Sequence, residues 1–276
     1  MYPIGVSSCG NKPLTGESFR HMAEAGISAM ELSAENYDHY DFKQIQKNAA
    51  GNGIRLWSLH LPFFPFAVLN PAALEKEVRE HTVDVFSGII ARASDAGIDK
   101  FVVHASGEPN APETRESRIG YAMETLDRLA EFAAAHGATV CVENLPRTCL
   151  GNRAAELQRL LSANGKLRVC FDLNHSLGED NSAYPKLLGD RIVTLHVSDY
   201  DLVDERHWLP GEGKVNWPEM VRLLQEVHYQ GVWMYEVGFE PPKTIDRRVL
   251  TWQDFADNAR AVLGGKTPPL LGKVLL

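Results

Sequence analysis

Short apolar runs of the kind that form buried strands alternate along the chain with segments whose apolar residues recur at helical spacing. In residues 41–53, for example, Phe42, Ile45 and Ala49 share one helical face, and the apolar run 55–60 follows directly. Eight such runs occur, at residues 2–9, 28–33, 55–60, 100–104, 139–143, 167–172, 192–197 and 231–237. This alternation predicts parallel strands with right-handed crossovers, and eight units favour an α/β fold of the (β/α)8 TIM-barrel type.

The length of the chain agrees with one barrel. It has 276 residues, close to the roughly 250 that such a barrel typically needs. No linker divides the sequence, so we predict one domain over residues 1–276, with an apolar tail at 264–276 that packs on the barrel or contributes to a subunit contact. The alternative is an open doubly wound sheet, but no GxGxxG fingerprint follows the first predicted strand.

The charge and composition of the chain argue against nucleic acids and membranes as partners. Acidic residues outnumber basic ones by 36 to 28, and no cluster of lysine and arginine forms a basic patch, which argues against binding to nucleic acid. No apolar stretch approaches the roughly 20 residues of a membrane span, and the N-terminus lacks a signal-peptide pattern. The four cysteines lack a CxxC spacing. We therefore predict a cytoplasmic protein with no membrane or nucleic-acid partner, as a monomer or a homo-oligomer.

Acidic residues end three of the apolar runs. In a barrel the carboxyl ends of all strands open on one face, so Glu143, Asp172 and Glu236 would meet there. Burying an unpaired carboxylate costs several kcal/mol, and like charges at one rim repel. One divalent metal ion bound by these acids and by His196, which ends another run, removes that conflict. Mixed carboxylate and imidazole ligands suit Mn, Mg, Co, Fe or Zn.

Several motifs resemble one known family. They are Val142-Glu143-Asn144, Asp172-Leu-Asn-His175, Leu195-His196-Val-Ser-Asp199, His207-Trp-Leu-Pro-Gly-Glu-Gly213 and Tyr235-Glu236. With them the chain resembles the xylose isomerase-like TIM barrels, which include sugar isomerases, ketose 3-epimerases and zinc-dependent apurinic endonucleases. The resemblance implies Glu143, Asp172, His196 and Glu236 as metal ligands, Glu143, Glu236 and His175 as catalytic residues, and a substrate-binding set of His60, His104, Arg206 and His207.

The family's reactions leave several functions open. The first is a metal-dependent isomerase or epimerase of a small sugar, polyol or keto acid, in which Glu143 and Glu236 would exchange a proton at a carbon next to the carbonyl. A sugar dehydratase would use the same scaffold. The third is an apurinic endonuclease, in which histidines would bind additional zinc, and the fourth is a binding protein without activity. Residues 146–149 lack the second acid that ketose 3-epimerases carry, and Glu205 stands where the endonucleases have an aspartate.

Overall fold

Eight parallel strands form a barrel in the computed structural model, which describes residues 2–10 and 12–276. The strands neighbour one another in the order β7-β6-β5-β4-β3-β2-β1-β8. They are β1 (Ile4–Ser7), β2 (Ala29–Ser33), β3 (Arg55–His60), β4 (Lys100–Val103), β5 (Thr139–Glu143), β6 (Arg168–Asp172), β7 (Ile192–His196) and β8 (Trp233–Tyr235).

The barrel closes between β7 and β8 just beyond their regular ladders. The backbone amide of Val197 donates to the carbonyl of Met234 at 2.8 Å, and the amide of Glu236 donates to the carbonyl of Val197 at 3.2 Å. The predicted (β/α)8 barrel is thus confirmed. The closing bonds also hold the residue after β7 beside the end of β8, where Glu236 lies.

Helices cover the outside of the barrel. They are α1 (Gly16–Ala25), α2 (Phe42–Ala50), α3 (Lys76–Ser94), α4 (Arg115–Ala135), α5 (Ala154–Leu161), α6 (Ala183–Leu188), α7 (Trp217–Glu226) and α8 (Trp252–Leu263). Most of the hydrophobic core lies between these helices and the strands. None of the helices in the described residues is both long and apolar enough to cross a membrane.

The C-terminal tail, residues 264–276, pairs with the segment between β8 and α8. The three-residue strand β10 (Gly272–Val274) runs antiparallel to β9 (Ile245–Arg247), which lies between β8 and α8. The amide of Leu275 extends this pairing by donating to the carbonyl of Thr244 at 2.9 Å. Part of the predicted tail therefore packs on the barrel, while Leu276 remains 69 % exposed.

Two register shifts affect the directions of side chains near the carboxyl ends of the strands. The β2–β3 pairing shifts between Met30 and Glu31, which brings Glu31 opposite Ser58. The β6–β7 pairing shifts near Cys170, so that Asp172 lies opposite His196. Such irregularities bend a strand and redirect its side chains, and they are common next to active sites. Here they turn acidic groups and an imidazole toward one another.

Candidate active site

The four predicted metal ligands converge at the carboxyl ends of the strands. Glu143 ends β5, Asp172 ends β6, His196 ends β7 and Glu236 follows β8, and one ligand atom from each lies within 4.8 Å of the others. His196 Nδ1 is at the centre of the group. It lies 2.7 Å from Glu143 Oε1, 3.5 Å from Glu236 Oε2 and 3.8 Å from Asp172 Oδ2. We call these four residues the four-donor cluster.

Two oxygens of the four-donor cluster lack a hydrogen-bond partner. Asp172 Oδ2 and Glu236 Oε2 are both buried without a hydrogen bond, and the nearest imidazole nitrogens lie 3.5 Å from each. Nearly all buried polar atoms in folded proteins are paired, because an unpaired one loses its hydration without compensation. A divalent cation beside His196 Nδ1 would pair both oxygens. The residues present therefore fit a metal ion with three carboxylate ligands and one imidazole ligand.

Burial and neighbouring charges shift the pKa values within the cluster. Burial alone would raise the pKa of Glu143, but the neighbouring His196 and His104 hold it well below its ordinary value. Burial raises the pKa of the Asp172 carboxyl well above its ordinary value, and the charge on Glu236 adds to that rise. The pKa values of the two carboxyl groups are thus shifted in opposite directions. A divalent cation bound beside Asp172 would favour its deprotonated form, since metal ligands are deprotonated.

Glu143 has a second set of partners. Its Oε2 atom lies 3.2 Å from His60 Nε2 and 3.0 Å from His104 Nε2, while Oε1 faces His196. His60, His104 and Glu143 also have the spacing of a possible metal site. The ring of Phe63 stacks on His104, with 4.4 Å between the ring centroids. The predicted substrate-binding residues His60 and His104 thus lie at the cluster, in contact with a predicted ligand.

His175 occupies the other side of the cluster. Its Nδ1 donates to the carbonyl of Asn144 at 3.0 Å, and its Nε2 lies 2.9 Å from Glu205 Oε1. With His207 these residues form a third group that could hold a metal. Arg147 Nη1 donates to Glu205 at 2.6 Å and fixes that carboxylate over His175. Burial opposes the shift, but hydrogen bonds and charges from His175 and Arg147 lower the pKa of Glu205 to about 2.

Arg206 lies apart from these groups. Its guanidinium binds Asp201, with an Nε–Oδ2 distance of 2.9 Å and an Nη2–Oδ2 distance of 2.8 Å. The cavity above the cluster has a volume of about 240 Å³, and its wall includes His60, His104, His175 and His207 but not Arg206. We call it the cluster cavity. A contact between Arg206 and a substrate in this cavity would first require the ion pair with Asp201 to open.

Glu31, a buried contact of His196, was not among the predicted site residues. Glu31, in the middle of β2, is fully buried, and its two carboxylate oxygens lie 3.0 and 3.1 Å from His196 Nε2. Ser58 Oγ donates to the same carboxylate at 2.7 Å. Glu31 thus holds the nitrogen of His196 that faces away from the four-donor cluster. The sequence signal was available, because Glu31 places a carboxylate inside the apolar run 28–33.

The comparison of sequences identifies the family. A profile described as xylose isomerase-like TIM barrel matches residues 19–254. The chain belongs to this family. The resemblance drawn from the motifs is therefore confirmed, and it covers the strands that carry all four residues of the four-donor cluster.

The relatives include sugar epimerases. D-psicose 3-epimerase from Agrobacterium fabrum is 23 % identical over 88 % of this chain and 86 % of its own length. A probable endonuclease 4 from Methanoculleus marisnigri is 24 % identical, over 55 % of this chain and 57 % of that protein. An uncharacterized protein from Methanocaldococcus jannaschii is 30 % identical, but the chain spans only 60 % of its length.

Solved structures agree with the fold. A D-tagatose 3-epimerase-like protein superposes with a TM-score of 0.76 at 24 % identity, covering 86 % of this chain and 91 % of that one. An L-ribulose 3-epimerase gives a TM-score of 0.77 at 19 % identity, covering 96 % and 94 %. At these identities the likeness establishes the barrel, and the chemistry has to be argued from the site.

Proposed function

We propose that the protein is a divalent-metal-dependent epimerase or isomerase of a small sugar. The observation that carries the proposal is the four-donor cluster, in which two carboxylate oxygens are buried without a partner. The relation to sugar epimerases over most of the chain supports the choice of substrate class. The proposed ligands are Glu143, Asp172, His196 and Glu236.

A divalent ion held there would polarise a sugar carbonyl and stabilise negative charge on its oxygen. The protein has to supply the groups that move a proton at the neighbouring carbon. Glu236 is the better placed of the two predicted groups, because it lines the cluster cavity and its side chain is 13 % exposed. Glu143 is fully buried and is contacted on its Oε2 side by His60 and His104.

His175 completes the proposed proton-transfer groups. It lines the cluster cavity, and its imidazole is clamped between Asn144 and Glu205. Burial would lower its pKa, but the charges of Asp172 and Glu205 raise the pKa of His175 to about 10. Both ring nitrogens are engaged by Asn144 and Glu205, so a positively charged imidazole there would act through its charge, stabilising a nearby sugar oxygen that gains negative charge.

The test uses protein stripped of metal and then loaded with Mn²⁺. We expect one or more ketohexoses from a panel that includes D-psicose and D-fructose to be epimerised or isomerised, with one solvent deuteron incorporated next to the carbonyl. Replacing Glu236 by glutamine should lower kcat by about two to four orders of magnitude, the range that general acid–base catalysis contributes. The exposed Glu240, replaced by glutamine, is the control.

Three results would count against the proposal. Turnover that survives Glu236→Gln would remove the assigned proton transfer. A product lighter than the substrate by one water would indicate a dehydratase on the same scaffold. If no sugar exchanges a proton with the solvent in the presence of any divalent ion, the sugar-enzyme assignment itself fails.

A second function has a specific observation in its favour. Two histidine-rich groups of potential ligands are among those that adjoin the four-donor cluster, namely His60 with His104 and Glu143, and His175 with Glu205 and His207. Together they would suit an apurinic endonuclease with several zinc ions. That function predicts about three zinc ions per chain and cleavage of duplex DNA at abasic sites. The net charge of -8 opposes it, since a nuclease needs favourable contacts with phosphates.

A further inference from the structure

A second, larger cavity lies beside the cluster cavity. Its volume is about 650 Å³, and loops that follow β1, β2 and β3 enclose it. The two cavities share His60 and Phe63 in their walls. We call the larger one the Phe64 cavity; the rest of its wall includes Ser33, Glu35, Tyr40 and Phe64. A molecule bound beside the four-donor cluster could therefore extend past Phe63 into this space.

Phe63 forms the partition between the two cavities. Its ring packs on His104 with 4.4 Å between centroids, yet 41 % of the residue is exposed. The next residue, Phe64, is 56 % exposed and belongs to the wall of the larger cavity alone. Exposed aromatic side chains next to a cavity favour the binding of apolar groups, because the contact removes aromatic and apolar surface from water.

The combined space exceeds what a free monosaccharide needs. Cavities of about 300–1,000 Å³ ordinarily take ligands of drug size. The cluster cavity alone, at about 240 Å³, lies just below that range, whereas the Phe64 cavity lies within it. A substrate that consisted only of a small sugar would leave the larger cavity to water.

The charges on the walls limit what can occupy the space. Across residues 2–10 and 12–276, Arg147 is the one lysine or arginine that lines either cavity. Its guanidinium is already bound to Glu108 and Glu205. Among the described residues, the Phe64 cavity is lined by one carboxylate, Glu35, by the imidazole of His60, and by no lysine or arginine. A phosphate or carboxylate group there would lose hydration without gaining a lysine or arginine to pair with its charge.

We propose that the Phe64 cavity is a subsite for a substituent carried by the sugar, and that it selects apolar or cationic groups over anionic ones. The inference rests on the proposed sugar-enzyme function, which places the reacting carbons at the four-donor cluster. Phe64 contacts the apolar part of the substituent, and Glu35 pairs with a cationic group. The substrate class is therefore a substituted, unphosphorylated keto-sugar.

Four probes with the same sugar test the proposal. They are D-fructose, 6-O-benzyl-D-fructose, 6-amino-6-deoxy-D-fructose and D-fructose 6-phosphate, each titrated into Mn²⁺-loaded protein by calorimetry. We expect the benzyl and amino derivatives to bind about tenfold more tightly than D-fructose, and the phosphate about tenfold more weakly. Turnover of each probe is measured separately, by deuterium incorporation.

Variants assign the effect to the cavity. Phe64→Leu should abolish the gain for the benzyl derivative, Glu35→Gln should abolish the gain for the amino derivative, and both should leave the affinity for D-fructose unchanged. Val249→Ala, at a residue 48 % exposed outside the site, is the control. Because the two variants address different probes, misfolding of one leaves the other informative.

The outcomes separate the subsite from the proposed function. Tighter binding of the benzyl and amino derivatives without any proton exchange would support the subsite and overturn the sugar-enzyme function. Turnover of D-fructose with equal affinity for the derivatives would overturn the subsite and leave the function standing. Tightest binding of the phosphate, or no binding of any probe, would also overturn the subsite.

Discussion

Replacing Glu31 by glutamine is the sharpest single test of how the four-donor cluster is built. The Glu31 carboxylate contacts His196 Nε2 at 3.0 and 3.1 Å, on the side away from the cluster, and accepts from Ser58 Oγ at 2.7 Å. All three side chains are fully buried. A hydrogen bond from Nε2 to this carboxylate leaves Nδ1 free to bind a metal, and it raises the basicity of the ring.

The structure sets the size of the expected effect. In Glu31→Gln the amide oxygen can still accept from His196 Nε2, and the amide nitrogen can donate to Ser58 Oγ. Shape and hydrogen bonds are preserved, and one negative charge is lost. Replacement of outer-shell partners of metal ligands lowers metal affinity by about 10- to 100-fold. We expect the lower end, about tenfold, which corresponds to ~1.4 kcal/mol in the free energy of metal binding.

The assay is a competition titration of Mn²⁺ against a chromophoric chelator, with thermal unfolding of the metal-free protein measured in parallel. Without metal, Glu31, Glu143 and Glu236 surround one imidazole, so removal of one charge should leave the melting temperature unchanged or raise it. A purely structural role would lower both stability and metal affinity. The exposed Glu240→Gln should change neither. Unchanged Mn²⁺ affinity in a folded Glu31→Gln protein would refute the reasoning.

Three further predictions concern stability. A methyl group at Gly213 would collide with Asp199, so Gly213→Ala should cost about 2 kcal/mol in the free energy of unfolding, whereas Gly16→Ala, with open space around it, should be neutral or stabilising. Chelation should lower the melting temperature, and Mn²⁺ at 100 times its Kd should restore about 2.7 kcal/mol; an unchanged melting temperature would contradict a metal site. The bond from Arg248 lowers the pKa of Asp254, at the start of α8, to about 2. Its contribution is thus complete above about pH 4 and lost as the pH falls through about 2, and Asp254→Asn should flatten this acid decline in denaturant titrations.

Local sequence patterns predict the barrel well because each strand and helix carries its own signal. Apolar runs such as Arg55–His60 and Thr139–Glu143 have the predicted bounds in the structure. The pairing of β9 with β10 had no such signal. Each strand has only three residues, and Gly272 pairs with Arg247 across the whole of α8, so the contact depends on tertiary packing.

The candidate site also combines features that the sequence predicts with features that depend on tertiary structure. The positions of Glu143 and His196 at strand ends follow from the barrel itself, and the structure brings them together. Which atoms face which could not be predicted, because register shifts in the β2–β3 and β6–β7 pairs determine the directions of the side chains. Arg206 illustrates why the contacts of loop side chains are difficult to predict from sequence. Its predicted substrate contact depended on loop geometry, and the structure turns the guanidinium to Asp201.

The four-donor cluster and the two histidine-rich groups beside it differ in their need for a cation. Glu143 Oε2 already has two imidazole partners, and Glu205 already binds His175 at 2.9 Å, so these groups are satisfied by hydrogen bonds alone. Asp172 Oδ2 and Glu236 Oε2 have no such partner. The physical demand for a metal is therefore strongest within the four-donor cluster, where a single ion would pair both oxygens. Because one ion there suffices for enolate chemistry on a sugar, whereas the nuclease requires the other two groups to bind metal as well, this asymmetry favours the epimerase or isomerase.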